Sequence, residues 1–149
     1  MSIRIYTDGS AKGNPGPGGY GIVLLSDEGH RKEVAKGFRK TTNNRMELLS
    51  VAVALEMLKA KPMDVIVFSD SKYVVDAVKK KWLFEWEKNN FKKKKNIDLW
   101  KRFLIVYKKH NVKFEWIKGH NNHPQNERCD FLAVEAANSN KLFVDNGFI

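Results

Sequence analysis

One change of hydrophobic period, near Asn43, constrains the fold of this chain more than any other feature of its sequence. Before Asn43, three segments rich in apolar residues stand between turn residues and are typical of strands. These segments cover residues 3–7, 19–26 and 30–39. Because turns join them in succession, they predict an antiparallel meander.

From Asn43 onward, apolar residues recur at spacings of three and four, which predicts an amphipathic helix that ends before Pro62. The nearly all-apolar segment 64–69 is typical of a buried parallel strand. Further helical segments follow, and then come a strand at 112–119 and a helix at 126–139. A meander followed by helix–strand crossovers predicts an α/β fold, with a mixed five-stranded sheet flanked by helices.

The 149 residues contain no internal repeat and no linker, so we expect one domain over residues 1–149. Residues 140–149 have no clear period, which predicts a mobile tail. The sequence shows no signal peptide and no apolar run of the roughly eighteen residues that cross a membrane. A single cysteine, Cys129, cannot form an internal disulfide. We therefore expect a cytoplasmic protein, and a monomer that needs no protein partner.

The charge of the chain favours a polyanionic partner. Twenty-seven Lys and Arg residues against seventeen Asp and Glu give a net charge of +10, which suits nucleic acid first and an anionic membrane second.

Residues 79–95 carry eight of the lysines, interleaved with Trp82, Trp86 and Phe91. Lysines neutralise phosphates, while the aromatic rings could stack on bases or anchor the segment in the core. We expect the lysines to serve phosphate binding and the two tryptophans to pack mainly inside the protein.

Four carboxylates occupy positions from which they could meet at one end of the sheet. Two of them directly follow predicted strands, and two lie in the first turns of predicted helices; they are Asp8, Asp70, Glu47 and Asp130. Each alone could be a solvated charge or a helix cap. Together they would repel one another unless a divalent cation neutralised them. Oxygen ligands suit Mg²⁺ or Mn²⁺, and two such ions could clamp an in-line displacement at phosphorus.

The glycine- and proline-rich stretch GNPGPGG at residues 13–19 allows a second interpretation, a nucleotide-binding loop. A P-loop needs a Lys-Ser/Thr pair that opens a helix, and a dinucleotide fingerprint needs a helix next. Here a strand follows, and two prolines remove amides that a phosphate would need. The stretch therefore favours a hairpin turn that positions Asp8.

Five motifs resemble those of the bacterial type 1 ribonuclease H family, in order and in spacing. They are TDGSAKGNPGPGGYG, TTNNRMEL, SDSKYV, NIDLW and WIKGHNNHPQNERCD, at residues 7–21, 41–48, 69–74, 96–100 and 116–130. The resemblance implies a ribonuclease H-like fold and an endonuclease that cleaves the RNA strand of RNA–DNA hybrids. It further implies a two-metal mechanism with Mg²⁺, or Mn²⁺ in its place, that leaves 5′-phosphate and 3′-hydroxyl ends.

The resemblance also assigns roles to individual residues. The metal ligands that it implies are Asp8, Glu47, Asp70 and Asp130, and His120 matches a loop histidine that assists proton transfer or product release. It implies contacts with the minor groove from Asn14, Asn43 and Asn44, and a phosphate pocket at Thr42 and Asn96. The basic segment, about residues 79–96, corresponds to a protrusion that holds the DNA strand. Its expected contacts are Trp82, Trp86, Lys92, Lys93, Lys94 and Lys95.

Two departures from the family pattern and two other functions stay open at this point. Lys72 stands where a neutral side chain is common, and we expect it to contact the substrate. The protrusion is short, with Phe91 where a third tryptophan often stands. A related nuclease or integrase that acts on DNA is one alternative, and a hybrid-binding module without catalysis is the other. Asn43 could also cap the helix that it begins.

Overall fold

The structure, a computed structural model, describes residues 2–58, 61–119 and 123–148. Its five strands form one sheet in the order β3-β2-β1-β4-β5. They are β1 (Ser2–Ala11), β2 (Gly16–Ser26), β3 (Arg31–Thr41), β4 (Asp64–Ser69) and β5 (Asn111–Trp116). The first three form an antiparallel meander, and β1, β4 and β5 run parallel. The predicted mixed five-stranded sheet is confirmed.

The described residues form five helices. They are α1 (Asn43–Glu56), α2 (Lys72–Lys79), α3 (Trp82–Lys88), α4 (Ile97–Tyr107) and α5 (Pro124–Ala137). Of these, α1 and α5 contact the sheet most extensively. Helix α5 begins two residues earlier than predicted, because Pro124 occupies its first turn, where the missing N–H costs nothing. Strand β5 ends at Trp116, three residues earlier than predicted. No helix in the described part of the chain is long and apolar enough to cross a membrane.

The strands bury side chains on both faces of the sheet, and each face has its own core. Ile5 and Ile22 point to one face, where they join α1, α2 and α4 in the larger core around the buried Trp100. Val23 points to the other face and packs with Cys129 and Leu132 of α5. This division follows from the two-residue period of a strand, which sends neighbouring side chains to opposite faces. Helices α1 and α5 therefore hold the sheet between them.

Glycines on β2 and β3 let α5 lie directly against the sheet. A Cβ atom at Gly19 would lie 2.6 Å from the carbonyl oxygen of Ala133, and one at Gly21 would lie 2.8 Å from the Cβ of Leu132. A Cβ atom at Gly37 would overlap the carbonyl group of Ala136. The helix main chain thus occupies the space that side chains would need. Any larger residue would push α5 outward.

Residues near the end of the chain attach to β3 and α1. The main chain of Phe143 forms a bridge with β3, donating to the carbonyl of Gly37 at 2.9 Å and accepting from the N–H of Arg39 at 2.8 Å. Asp145 is buried and accepts hydrogen bonds from Thr41 and Arg45, both at 2.7 Å. The region that the sequence predicts to be a mobile tail thus contains a buried ion pair, which a lack of periodicity cannot reveal.

The basic segment divides its aromatic residues between the core and the surface. Trp86 is half-buried and meets Trp100 edge to face, with 5.6 Å between ring centres. Phe91 is buried in the core. Trp82 is 46% exposed, so the prediction that both tryptophans pack inside the protein is wrong for Trp82. Spacing alone suggested a shared face, but in the first turn of α3 it is Leu83 that is buried in the core, next to the exposed Trp82.

Candidate active site

Three of the predicted acids converge at one edge of the sheet. Asp8, Glu47 and Asp70 each offer a carboxylate oxygen, and these oxygens lie within 4.8 Å of one another. Asp70 directly follows β4, as predicted. Asp8 does not follow its strand, because β1 continues to Ala11. However, the pairing of β1 with β4 ends at Tyr6 and Phe68, so both aspartates lie just beyond the paired part of these strands.

Glu47 reaches the two aspartates because α1 crosses close to β1. A Cβ atom at Gly9 would lie 2.5 Å from the main-chain nitrogen of Glu47 and 2.5 Å from the carbonyl carbon of Met46. Only glycine leaves room for this approach. The residue after Asp8 therefore brings the helix, and with it Glu47, next to the aspartate. The N–H of Gly9 also donates to Asp8 Oδ1 at 2.9 Å, which orients that carboxylate.

Asp130 is not one of the three acids whose oxygens lie within 4.8 Å of one another, but α5 brings it near Asp8 from the opposite face of the sheet. Asp8 pairs with Gly21 across β1 and β2, and a Cβ atom at Gly21 would overlap the carbonyl oxygen of Cys129 in α5. Asp130, the next residue, is therefore carried to Asp8. Both its charge and a hydrogen bond between the two side chains contribute to the raised pKa of Asp8.

The crowded carboxylates favour protonation in the absence of a cation. Burial is the largest cause that raises the pKa of Asp8, to about 8, and the charge of Asp70 is the next. Burial also raises the pKa of Glu47 well above its usual range, and the charges of Asp8 and Asp70 add to this. Like charges in a low-dielectric site cannot all ionise without compensation. A divalent cation would supply that compensation.

The donor set fits a hard divalent cation. Within the described residues the cluster consists of carboxylates alone, with neither histidine nor cysteine, and oxygen ligands are those that Mg²⁺ and Mn²⁺ prefer. Glu47 Oε1 is buried and has no hydrogen-bond partner among the described residues. A buried polar atom left in this way requires an explanation, and a metal ion beside the three carboxylates provides one.

The predicted minor-groove residues meet between the β1–β2 turn and the start of α1. Asn14 Oδ1 accepts from the N–H of Asn43 at 2.9 Å, and Asn43 Oδ1 accepts from the N–H of Ala11 at 2.5 Å. Asn44 is exposed beside them. Thr42, and not Asn43, caps the helix, since Thr42 Oγ1 accepts from the N–H of Arg45 at 3.2 Å. The predicted capping role of Asn43 is therefore wrong, and its side chain holds the turn.

A buried arginine that no sequence pattern singled out links the two residues of the predicted phosphate pocket. Arg45 is only 2% exposed. Its N–H donates to Thr42, and its Nη1 donates to Asn96 Oδ1 at 3.3 Å. Its guanidinium also forms ion pairs at 2.7 Å with Asp98 and with Asp145. Hydrogen bonds from Arg45 keep the pKa of Asp98 below its usual value.

The predicted DNA-strand contacts lie along an open groove between α3 and the basic turn. Lys94 Nζ lies 4.8 Å from the centre of the Trp86 ring. The groove has a volume of about 380 Å³ and is lined by Tyr73, Trp82, Trp86, Lys93, Lys94, Lys95 and Trp100. Lys92 is exposed beside the groove and does not line it. Cations and aromatic faces thus alternate along one surface, a combination that suits a nucleic-acid backbone.

Two further predicted residues lie close to the acids in the sequence. Lys72 is exposed at the start of α2, and its ammonium lies 4.8 Å from the centre of the Trp116 ring. His120 lies outside the described residues. His123 precedes the first residue of α5 and makes no side-chain capping bond.

Comparisons with known proteins agree with this geometry. The profile of the RNase H family matches residues 1–138. A ribonuclease H of Desulforamulus reducens is 54% identical over 148 residues, which cover 96% of this chain and 92% of that protein. The crystal structure of LC9-RNase H1, a type 1 RNase H with the type 2 active-site motif, superposes with a TM-score of 0.81. The two sequences are 33% identical, and the match covers 91% of this chain and 72% of the LC9-RNase H1 chain.

A second solved structure includes a nucleic acid. LC11-RNase H1 in complex with an RNA/DNA hybrid superposes with a TM-score of 0.67 and is 27% identical. The match covers 91% of this chain and 96% of that one.

Proposed function

Since this chain belongs to the RNase H family, we infer that it is a ribonuclease H, an endonuclease that hydrolyses the RNA strand of RNA–DNA hybrids. The observation that carries its chemistry is the convergence of three carboxylates within 4.8 Å at one edge of the sheet. We propose that Asp8, Glu47, Asp70 and Asp130 hold two divalent cations, Mg²⁺ by preference and Mn²⁺ as a substitute. Hard oxygen donors and the unpartnered Glu47 Oε1 support this assignment.

Bound at this cluster, two divalent ions would supply Lewis-acid activation of the attacking water and stabilisation of the leaving oxygen. The protein's own contribution is position and charge. The N–H of Gly9 orients the carboxylate of Asp8. Gly9 also lets α1 approach β1 closely, which sets the distance between Glu47 and Asp8. Because the pKa of Asp8 is raised, the cluster would release protons when a cation binds.

The minor-groove role of the asparagines is supported by the hydrogen bonds that they already make. Asn14 and Asn43 each use Oδ1 to accept a main-chain N–H, so their Nδ2 groups are the donors available to a ligand. The minor groove offers base acceptors at every pair, and a hybrid also offers the 2′-oxygens of its RNA strand. Donors at this position would contact a hybrid without selecting a base sequence.

We assign the remaining substrate contacts from the positive charge of the surface and from the likeness to related proteins. The groove of Trp82, Trp86 and lysines 93–95 would hold the DNA strand, with Lys92 beside it, and Thr42 with Asn96 would hold one of its phosphates. The complex of LC11-RNase H1 with a hybrid supports a hybrid as the ligand. We assign His120 to proton transfer or product release by its motif alone. We also propose that the protein is a cytoplasmic monomer with one catalytic domain.

A cleavage assay with three labelled duplexes tests the function. In Mg²⁺, the protein should cut the RNA strand of a hybrid and leave double-stranded RNA and double-stranded DNA intact. Cleavage of DNA would favour a DNA nuclease, and binding without any cleavage would favour a binding module; either result contradicts the proposal.

One substitution tests the site within the same assay. Asp70→Asn should abolish cleavage of the hybrid because it removes a metal ligand. The matched control is Asp76→Asn in α2, whose carboxylate pairs only with Lys80 at 3.8 Å among the described ion pairs; it should cleave like the wild type. Normal turnover by Asp70→Asn would contradict its assignment as a ligand.

A further inference from the structure

Trp116 holds the main chain of Asp70 in place. It is the last residue of β5 and pairs with Ser69, the residue before Asp70. Its indole Nε1–H donates to the carbonyl oxygen of Asp70 at 3.1 Å. The next residue, Ile117, donates its N–H to the carbonyl of Ser69 at 3.0 Å. The end of β5 therefore holds the carbonyl groups of two successive residues, Ser69 and Asp70.

The same indole also contacts the cation at the start of α2. Lys72 lies two residues after Asp70, and its ammonium is held over the Trp116 ring, 4.8 Å from the ring centre. Tryptophan offers the most favourable aromatic face for such a contact. Trp116 is 43% exposed and Lys72 is exposed as well, so the ammonium stays accessible to solvent and to a ligand. One side chain thus restrains both a proposed metal ligand and a neighbouring positive charge.

We propose that Trp116 is a positioning residue for the cleavage reaction. It fixes the main chain of Asp70 through its N–H, and through its ring it orients Lys72 toward a phosphate of the RNA strand beside the bond that is cut. This inference rests on the proposed function. It assigns Lys72 to the RNA strand because that strand must reach the acid cluster for cleavage, whereas the groove of Trp82 and Trp86 lies along α3.

The two contacts of Trp116 can be separated by substitution. Trp116→Phe removes the N–H donor and keeps an aromatic face under Lys72, whereas Trp116→Leu removes both. Lys72→Met removes only the cation. Lys141→Met is the matched control, because Lys141 is an exposed lysine over another ring, 5.9 Å from the centre of Phe143. Circular dichroism and thermal unfolding in EDTA establish that each variant is folded before it is compared.

The contact with Asp70 is measured by Mg²⁺ binding without substrate, in a calorimeter. Trp116→Phe and Trp116→Leu should both weaken Mg²⁺ binding, about fivefold, which corresponds to the loss of one ordinary hydrogen bond. Lys72→Met and Lys141→Met should not weaken it. Mg²⁺ binding by both Trp116 variants at wild-type strength would overturn the proposal.

The contact with RNA is measured by hybrid binding in EDTA at several salt concentrations. Lys72→Met should reduce the slope of log affinity against log salt by about one, as expected for one lost phosphate contact. Trp116→Leu should weaken hybrid binding, Trp116→Phe should weaken it less, and Trp116→Leu should have no added effect in the Lys72→Met background. The proposal would be overturned if Lys72→Met left the salt slope unchanged, or if Lys141→Met reduced the slope by the same amount. Failure of the wild type to cut hybrids would instead contradict the proposed function.

Discussion

Replacing Asp8 by asparagine should stabilise the metal-free protein, although it should destroy the proposed metal site. In the folded state the pKa of Asp8 is raised from 3.8 to about 8, mainly by burial and then by Asp70. Between these two values the folded protein holds a proton that the unfolded chain releases, so stability falls as the pH rises through this interval. Asparagine carries no such proton, and its side-chain oxygen can still accept from the N–H of Gly9.

The size of the effect follows from the pKa. One pH unit corresponds to about 1.36 kcal/mol, so the interval between 3.8 and about 8 sets an upper limit of about 6 kcal/mol. Relaxation of the carboxylates and entry of water reduce this penalty in real proteins. We expect Asp8→Asn to gain about 2 kcal/mol near pH 8, which corresponds to a rise in Tm of about 4–8 °C for a domain of this size.

Urea unfolding in EDTA, at about pH 4.5 and about pH 8, measures this gain. The advantage of Asp8→Asn over the wild type should be small at the lower pH and larger at the higher one. Saturating Mg²⁺ should reduce it, because the cation stabilises only the complete ligand set. Glu28→Gln is the control, since Glu28 is exposed in the turn after β2 and loses the same charge. An Asp8→Asn protein that is no more stable than the wild type at pH 8 would refute this reasoning.

Three further sets of substitutions test the fold and the substrate surface. Neutral residues at positions 92–95 should raise KM and flatten its salt dependence in a hybrid-cleavage assay, with less effect on kcat; an unchanged salt slope would place these lysines away from the substrate. Arg45→Met should lower the free energy of unfolding by about 3 kcal/mol, because it leaves the buried Asp145 without a counter-charge, and Asp145→Asn in that background should recover part of the loss. Gly21→Ala should cost about 1–3 kcal/mol in urea unfolding, because its Cβ would displace α5; stability like that of the wild type would show that the helix can adjust.

The sheet and three of the clustered acids could be predicted from local patterns. The period change at Asn43 separated the meander from the crossovers, and the apolar segment 64–69 matched β4 to the residue. Carboxyl ends of parallel strands lie at one edge of a sheet, which placed Asp70 correctly. Asp8 was placed at the right edge although β1 runs on to Ala11. The order of side-chain types shows where an apolar run stops, but not how far main-chain pairing continues.

Contacts between distant segments could not be predicted in this way. Arg45 pairs with Asp98 and with Asp145, about 50 and 100 positions further along the chain, and no local period relates these three residues. In the sequence Arg45 is one more cation in a basic protein; only its burial sets it apart. The hydrogen bond from the Trp116 indole to the Asp70 carbonyl could not be predicted from the sequence either. Strand pairing decides which residue a tryptophan at the end of a strand contacts.

Because α5 lies directly against glycines of the sheet, the position of Asp130 relative to Asp8 does not depend on which side chains fill the core between the sheet and α1. Side chains are deformable and can be exchanged, whereas the distance between two main chains in contact is fixed by atomic radii. Asp130 therefore keeps its distance from Asp8 as long as Gly19, Gly21 and Gly37 are retained, whatever hydrophobic residues fill the opposite face of the sheet. That face, between the sheet and α1, could be redesigned for stability without moving Asp130. Natural variation or engineering could tune the melting temperature there while the distance between Asp8 and Asp130 stays constant.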